Sequence, residues 1–185
     1  MVPLTALWLP ILLSGVAVFV TSSIIHMALP YHRSDYARVP NEETVMDALR
    51  RFDIPPGDYF MPRAADGAEM KTPEYKEKVK KGPVALLTIM RPGAFAMGPR
   101  LGQWFLYTLV VSAFAGLLAG HAVGPLASHR RVFHYAALPA WGGYALALLQ
   151  NSIWYARKWS TTLKSTFDGL IYAVITGLIF AWLWP

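Results

Sequence analysis

The chain of 185 residues has no cysteine, and that absence excludes several classes of chemistry. Disulfide frameworks, thiolate nucleophiles, iron–sulfur clusters, cysteine-based zinc sites and covalently attached c-type haem all require cysteine. Charge is scarce as well, because Asp, Glu, Lys and Arg make up 15% of the residues, against about 25% in typical soluble domains. With a hydrophobic fraction of 55%, the composition disfavours a disordered tail, a nucleic-acid-binding arm and a water-soluble enzyme.

The familiar catalytic and nucleotide-binding motifs are also missing. The sequence has no Gly-x-x-x-x-Gly-Lys, Gly-x-Gly-x-x-Gly, Gly-x-Ser-x-Gly or His-Glu-x-x-His pattern. Its two halves show no inverted repeat of broken helices, which argues against a secondary transporter. A row of arginines at every third position is absent too, which excludes a voltage sensor. No motif links these residues to a family of known function.

Lysine and arginine are missing from four long stretches, at residues 4–29, 101–125, 132–156 and 166–184. Since about 20 apolar residues cross the ~30 Å hydrocarbon core of a bilayer as a helix, each stretch is long enough to span it. We therefore predict a membrane all-α bundle of four transmembrane helices. A cleaved signal peptide is the alternative for the first stretch, but residues 1–8 lack the usual basic charge.

The distribution of basic residues predicts the orientation of these helices. If the spans alternate, residues 31–100 and 157–165 hold fifteen of the seventeen Lys and Arg, and only Arg130 and Arg131 lie on the other side. The positive-inside rule then puts both termini outside and residues 31–100 in the cytoplasm. A bacterial plasma membrane is the expected location, with the lipid bilayer as a partner. The net charge of +6 reflects this topology, so we expect no nucleic-acid partner.

Three regions follow from these spans: a first transmembrane helix at 1–30, an insert at 31–100 and a three-helix region at 101–185. The insert is predicted to be a small α+β unit. One helix begins after Asn41 and a second after Thr72, each at a residue that favours a helix N-cap. Residues 58–61 are predicted to pair with part of 84–90 as a two-stranded sheet. Residues 91–100 are interpreted as an interfacial linker.

Small residues recur at every fourth position in two of the predicted spans. They are Ser112, Gly116, Gly120 and Gly124 in the second span, and Gly169, Ala173 and Gly177 in the fourth. Such stripes let two helix backbones approach closely in lipid. The approach could be internal packing of the bundle, or contact with a protein partner or a second copy in a homo-oligomer. In the third span, Pro139 and Gly142-Gly143 predict a kink near the middle.

Five polar residues are predicted to share one depth near the cytoplasmic side of the membrane. They are His26, Gln150, Asn151, Asp168 and Tyr172. Because ionisable groups are costly to bury in a bilayer, this layer is a candidate site for a proton, a quinone head group or a small polar substrate. The alternative is structural: Asp168 pairs with the lysine four residues before it, and His26 extends to the interface.

Two histidine groups are candidate ligands for a metal or, in the second case, a haem, although the sequence requires no cofactor. They are His26, His32 and Asp35 after the first span, and His121, His129 and His134 around the turn between the second and third spans. Imidazoles and carboxylates suit zinc, iron and copper, and opposed histidines in a bundle can hold a haem. Ordinary interfacial histidines are the alternative.

Two functions remain open at this point. The absence of a catalytic residue set, the small-residue stripes and the compact insert favour a non-catalytic accessory, assembly or scaffold subunit of a larger membrane complex. The alternative is a cofactor- or quinone-binding redox component, or a small membrane enzyme that uses the intramembrane His, Asp and Asn residues.

Overall fold

The computed structural model describes residues 1–93 and 96–185, which form two compact units. The bundle unit consists of Met1–Ala37 and Met97–Pro185, and the insert unit consists of Arg38–Ala96. In chain order the elements are α1 (Trp8–Ser23), α2 (Glu42–Arg50), β1 (Gly57–Met61), α3 (Pro73–Lys81), β2 (Ala85–Ile89), α4 (Met97–Ala122), α5 (His129–Tyr144), α6 (Leu149–Tyr155) and α7 (Trp159–Trp182). The predicted linker at 91–100 falls partly on Ala94 and Phe95, which lie outside the described residues.

Four helical segments are long and apolar enough to cross a membrane, which confirms that part of the predicted fold. They are Leu4–Ala28, Met97–Ala122, His129–Tyr155 and Trp159–Trp182. The fourth begins at Trp159 rather than at residue 166, so the predicted turn at 157–165 is mostly helix. The absence of Lys and Arg marks the apolar length of a helix and does not mark its ends, because polar residues continue the helical hydrogen bonding.

The third span is interrupted a few residues after the Pro139 and Gly142-Gly143 at which a kink was predicted. Pro139 lies inside α5, which continues to Tyr144, and a short 3₁₀ turn at Leu146–Leu148 then separates α5 from α6. The Tyr107 hydroxyl donates a hydrogen bond of 2.6 Å to the Gly143 carbonyl near this break. A side chain of α4 therefore supplies a partner for a backbone carbonyl where the helix is irregular.

The small-residue stripe of α7 packs inside the bundle unit. A Cβ placed on Gly169 would lie 2.7 Å from the Cβ of Ala145, and one on Gly177 would lie 2.8 Å from the Cβ of Ala137. Ala173, between the two glycines, is 1% exposed. Glycine at these positions lets α7 approach the preceding span more closely than any larger residue would.

The stripe of α4 also has its contacts within the chain. A Cβ on Gly120 would lie 2.5 Å from the Val2 carbonyl oxygen, and one on Gly116 would lie 3.0 Å from an aromatic carbon of α7. Ser112 is fully buried, whereas Gly124 is exposed with no atom near its Cβ position. The tertiary structure thus provides close contacts within the chain for these two faces, although at Gly124 the contact is through the carbonyl, which accepts from Trp184 Nε1 at 2.9 Å.

The insert unit has the predicted secondary structure. Strands β1 and β2 pair antiparallel, with Gly57 opposite Ile89 and Met61 opposite Ala85, which confirms the sheet. Helix α3 begins as predicted, because the Tyr75 N–H donates to the Thr72 hydroxyl at 3.2 Å. Asn41 stands at the N-cap position of α2, but its side chain makes no capping hydrogen bond, so the mechanism predicted there is wrong.

The insert unit has no buried core among its described residues, 38–93 and 96. None of the described residues from 38 to 93 is buried. Large apolar side chains are left open on it, including Phe52 at 74%, Met70 at 57% and Phe60 at 48% exposure. A two-stranded sheet with two short helices needs a packed apolar face to offset the entropy of ordering the chain.

We therefore expect residues 38–96 to be unfolded when expressed alone in water. The excised segment should show a narrow range of amide proton chemical shifts by NMR and no cooperative thermal transition by circular dichroism. Its described residues bury too little apolar surface to offset the conformational entropy lost on folding. A sharp melting transition in the isolated segment would contradict this expectation.

Candidate functional site

A polar cluster forms where the chain leaves the first apolar helix. Helix α1 ends in a π-helical segment at Ile24–Ala28, and a 3₁₀ turn at Pro30–Ser34 follows. Leu29 between them is extended, which the restriction imposed by Pro30 favours. Single π-helical turns are often found at functional sites. These two turns bring His26, Tyr31 and His32 to the first part of α7.

Asp168 of α7 is the most deeply buried member of this cluster, with 2% of its side chain exposed. The Tyr31 hydroxyl donates to one of its carboxylate oxygens, Oδ1. Its other oxygen, Oδ2, lies 2.9 Å from His32 Nε2. Because a buried carboxylate without partners is costly, these two contacts are what make Asp168 tolerable at this position.

Asp35 forms the opposite side of the cluster. Its Oδ2 lies 2.7 Å from His32 Nδ1, and its Oδ1 accepts from Lys164 Nζ at 3.0 Å. Burial raises the pKa of Asp35, but the hydrogen bonds from His32 and Lys164 and their positive charge outweigh it, so the net pKa is lowered. Lys164 also donates to the Ser34 hydroxyl at 2.9 Å, which ties α7 to the 3₁₀ turn.

His32 is therefore held between two carboxylates, Asp35 on Nδ1 and Asp168 on Nε2. A neutral imidazole has only one N–H, so it can donate to only one of them. The second contact needs a charged imidazolium, a protonated carboxylic acid, or a cation in place of the proton. The chemically distinctive feature of the cluster is therefore that His32 contacts two carboxylates and needs one more proton or cation than a neutral imidazole supplies.

His26 completes the cluster from the π-helical segment. Its ring centroid lies 4.3 Å from that of His32, and the two rings are tilted by 33°. One ligand atom each from His26, His32 and Asp168 lie within 4.8 Å of one another. Within residues 1–93 and 96–185, this is the one group of three or more His, Asp or Glu side chains at such distances.

The structure brings together only part of the layer predicted at the inner side. His26 and Asp168 meet through His32, whereas Gln150 is exposed and Asn151 half-buried. Neither amide makes a side-chain hydrogen bond in the described ranges 1–93 and 96–185. Helix α6 instead faces α7 through Ser152, whose hydroxyl donates to Thr162 at 2.7 Å. Successive residues of a helix are rotated by about 100°, so Gln150 and Asn151 point to other faces.

Tyr172, the fifth residue predicted for that layer, lies one turn beyond Asp168 in α7. It is 4% exposed, and its hydroxyl has no hydrogen-bond partner among the described residues. Its ring packs against Tyr144 at 5.5 Å and Trp104 at 6.2 Å between centroids. Tyr172 is therefore part of an aromatic layer next to the cluster.

The second histidine group does not converge. His121 Nδ1 lies 2.8 Å from the Leu117 carbonyl oxygen, and His134 Nδ1 lies 2.6 Å from the Arg130 carbonyl oxygen. Each of these rings thus bonds to the preceding turn of its own helix, and His129 is exposed at the first position of α5. In the part of the chain that the structure describes, the three imidazoles do not reach a common ligand position.

Sequence reasoning missed Tyr31 and Ser34 as members of the cluster and considered the wrong acid as the partner of Lys164. Lys164 bonds to Asp35 rather than to Asp168 four residues later, which corrects the structural pairing considered from the sequence. The only local signal was the three-residue spacing of His32 and Asp35, which suits a 3₁₀ turn. The contacts with α7 join positions more than a hundred residues apart and leave no trace in local spacing.

Comparison with known proteins adds no relative: no protein-family model, no curated protein and no solved structure matches the chain.

Proposed function

We propose that the chain is a multi-pass membrane protein that acts as an accessory or assembly subunit of a larger membrane complex. The four apolar helices are compatible with insertion in a bilayer. The distribution of Lys and Arg supports an orientation with both termini outside and the insert unit in the bacterial cytoplasm.

The absence of a core in the insert unit is the observation that carries this proposal. None of the described residues of this ordered unit is buried, and its Phe and Met side chains are exposed, so we infer that another surface covers it. Residues 38–96 contain ten Lys and Arg and nine Asp and Glu, so their net charge is +1. Clustered positive charge attracts anionic lipid, but the lysines clustered in α3, at Lys76, Lys78, Lys80 and Lys81, are not among the residues that line an apolar groove on this unit. The groove itself therefore favours a protein partner.

An apolar groove on the insert unit is the best-defined part of that surface. It encloses about 490 Å³ between α2, the turn before β1, and β2. Met46 and Leu49 of α2 line one side, and Ile54, Pro55 and Ile89 line the other. Grooves of this kind accept apolar side chains of a partner, which supply most of the binding energy in protein interfaces.

A Met46→Asp variant tests this role. In mild detergent the wild-type chain should migrate in a complex much larger than its 20.6 kDa. A carboxylate in the groove should weaken association by at least about tenfold, equivalent to ~1.4 kcal/mol, and release the free chain. Native gel electrophoresis of solubilised membranes, followed by mass analysis of the band, measures both.

Leu126→Asp is the matched control, because Leu126 is 99% exposed in the bundle unit and outside the groove. It introduces the same charge and should leave the complex intact. A wild-type chain that migrates alone under gentle extraction would refute the accessory role. Equal behaviour of the two variants would exclude the groove as the contact surface.

The redox or enzymatic alternative is favoured by a different observation, the convergence of His26, His32 and Asp168. Asn151, which that alternative also used, makes no side-chain hydrogen bond within residues 1–93 and 96–185. The cluster therefore supports the ligand-binding part of this alternative and remains the basis of a second candidate function.

A further inference from the structure

We propose that His26, His32 and Asp168 bind one divalent transition-metal ion of the zinc type. The site lies where the end of the first apolar helix, the Pro30–Ser34 turn and α7 meet, entirely within the bundle unit. It differs from the group predicted from sequence, because Asp168 replaces Asp35 as the third ligand. Metal binding here is independent of the accessory role.

The distances fit a shared metal ion. Ligand atoms bound to one zinc at about 2.0–2.1 Å lie roughly 3.3 Å apart in tetrahedral geometry. His32 Nε2 and Asp168 Oδ2 are already 2.9 Å apart, and the third ligand atom, from His26, lies within 4.8 Å of both. His26 is exposed and makes no side-chain hydrogen bond among the described residues, so no such bond opposes a rotation of its ring toward the other two ligands.

The other contacts of the cluster match those around a metal site. A metal on His32 Nε2 leaves the ring proton on Nδ1, where Asp35 accepts it at 2.7 Å. This is the carboxylate–histidine–metal arrangement that sets the tautomer and orientation of ligating histidines. Lys164 holds Asp35 in place, and Tyr31 donates to the second oxygen of Asp168. A metal ion between His32 Nε2 and Asp168 also takes the place of the second proton that a neutral His32 lacks.

Charge and donor type select the class of ion. With both imidazoles neutral, Asp35 and Asp168 outweigh Lys164 by one negative charge, so the cluster favours a cation over an anion. Two imidazole nitrogens with one carboxylate oxygen suit Zn²⁺ or Fe²⁺, whereas Ca²⁺ and Mg²⁺ prefer oxygen ligands throughout. Three protein ligands leave at least one position open to water or a substrate.

Titration with Zn²⁺ tests the proposal directly. Purified full-length chain in detergent, stripped with a chelator, should bind one Zn²⁺ per chain by calorimetry, and Co²⁺ should produce visible absorption bands. His26→Ala should weaken binding by more than about 100-fold, and Asp35→Asn, which leaves the three ligands in place, by about 10–100-fold. His26 is suited to this test because it is exposed and has no hydrogen bond among the described residues.

His121→Ala is the matched control, since that histidine bonds only to a carbonyl of its own helix. It should bind Zn²⁺ as the wild type does, and so should Met46→Asp, which separates this site from the accessory role. Gel filtration and thermal unfolding confirm that each variant is folded. Wild-type protein without stoichiometric Zn²⁺, or equal affinity in His26→Ala and His121→Ala, would overturn the proposal.

Discussion

A Gly169→Val variant is expected to lose much of the stability of the bundle unit. The new Cβ would lie 2.7 Å from the Cβ of Ala145 and 3.3 Å from the backbone carbonyl carbon of Tyr144. Neither atom is the flexible end of a side chain, so a helix must move. Overpacking of this kind costs about 1–3 kcal/mol or more, and the closely packed glycine leaves little room to adjust. Thermal unfolding in detergent, followed by circular dichroism, measures the loss.

Gly102→Val is the control for this comparison. Gly102 is also in a helix, α4, but it is exposed and no atom lies within 4 Å of its Cβ position. Because both variants exchange glycine for valine in a helix, intrinsic helix propensity changes by a similar amount in each. If Gly169→Val and Gly102→Val melt at the same temperature, α7 does not pack against the preceding span at Gly169 as closely as described.

A His32→Leu variant is expected to be the most damaging change in the polar cluster. It removes a hydrogen-bond partner from Asp35 and Asp168 at once, and their side chains are only 8% and 2% exposed. Asp35 keeps its ion pair with Lys164, but Asp168 keeps only the Tyr31 hydroxyl among its described partners. Removing the partner of a buried charge typically costs about 3–5 kcal/mol. Unfolding should be measured with a chelator present, so that bound metal does not contribute.

The cause can be separated from simple loss of packing. Adding Asp168→Asn to His32→Leu removes the buried carboxylate that has lost its imidazole partner, so the double variant should regain part of the lost stability. His134→Leu, an exposed histidine bonded only to its own helix, should change stability by less than about 0.5 kcal/mol. A double variant less stable than His32→Leu alone would show that the Asp168 carboxylate is not the source of the loss.

The surface expected to contact a partner differs between the sequence and the structure. From sequence, the small-residue stripes of the second and fourth spans were candidate surfaces for a partner, but Gly116, Gly120, Gly169 and Gly177 have their close contacts within the chain. The insert unit, which the sequence presents only as compact, is the part that lacks a core. The expected partner surface therefore moves from the apolar helices to the groove beside Met46.

Secondary structure was predictable wherever it depends on local chemistry. The four apolar stretches are long enough to span, Thr72 and Pro73 start α3, and the pairing of β1 with β2 follows from their turn signals and apolar runs. One error was also local in origin. Helix α7 starts at Trp159 rather than at residue 166, because polar residues can extend an apolar helix.

The sequence by itself determined the four spanning-length helices and the small sheet. Only the tertiary structure decided that His32 lies between Asp35 and Asp168, and that Lys164 binds Asp35. Periodicity and charge act over a few residues and can be read along the chain. The contact between His32 and Asp168 spans 136 positions and exists only because the π-helical and 3₁₀ turns bring the end of the first helix back against α7.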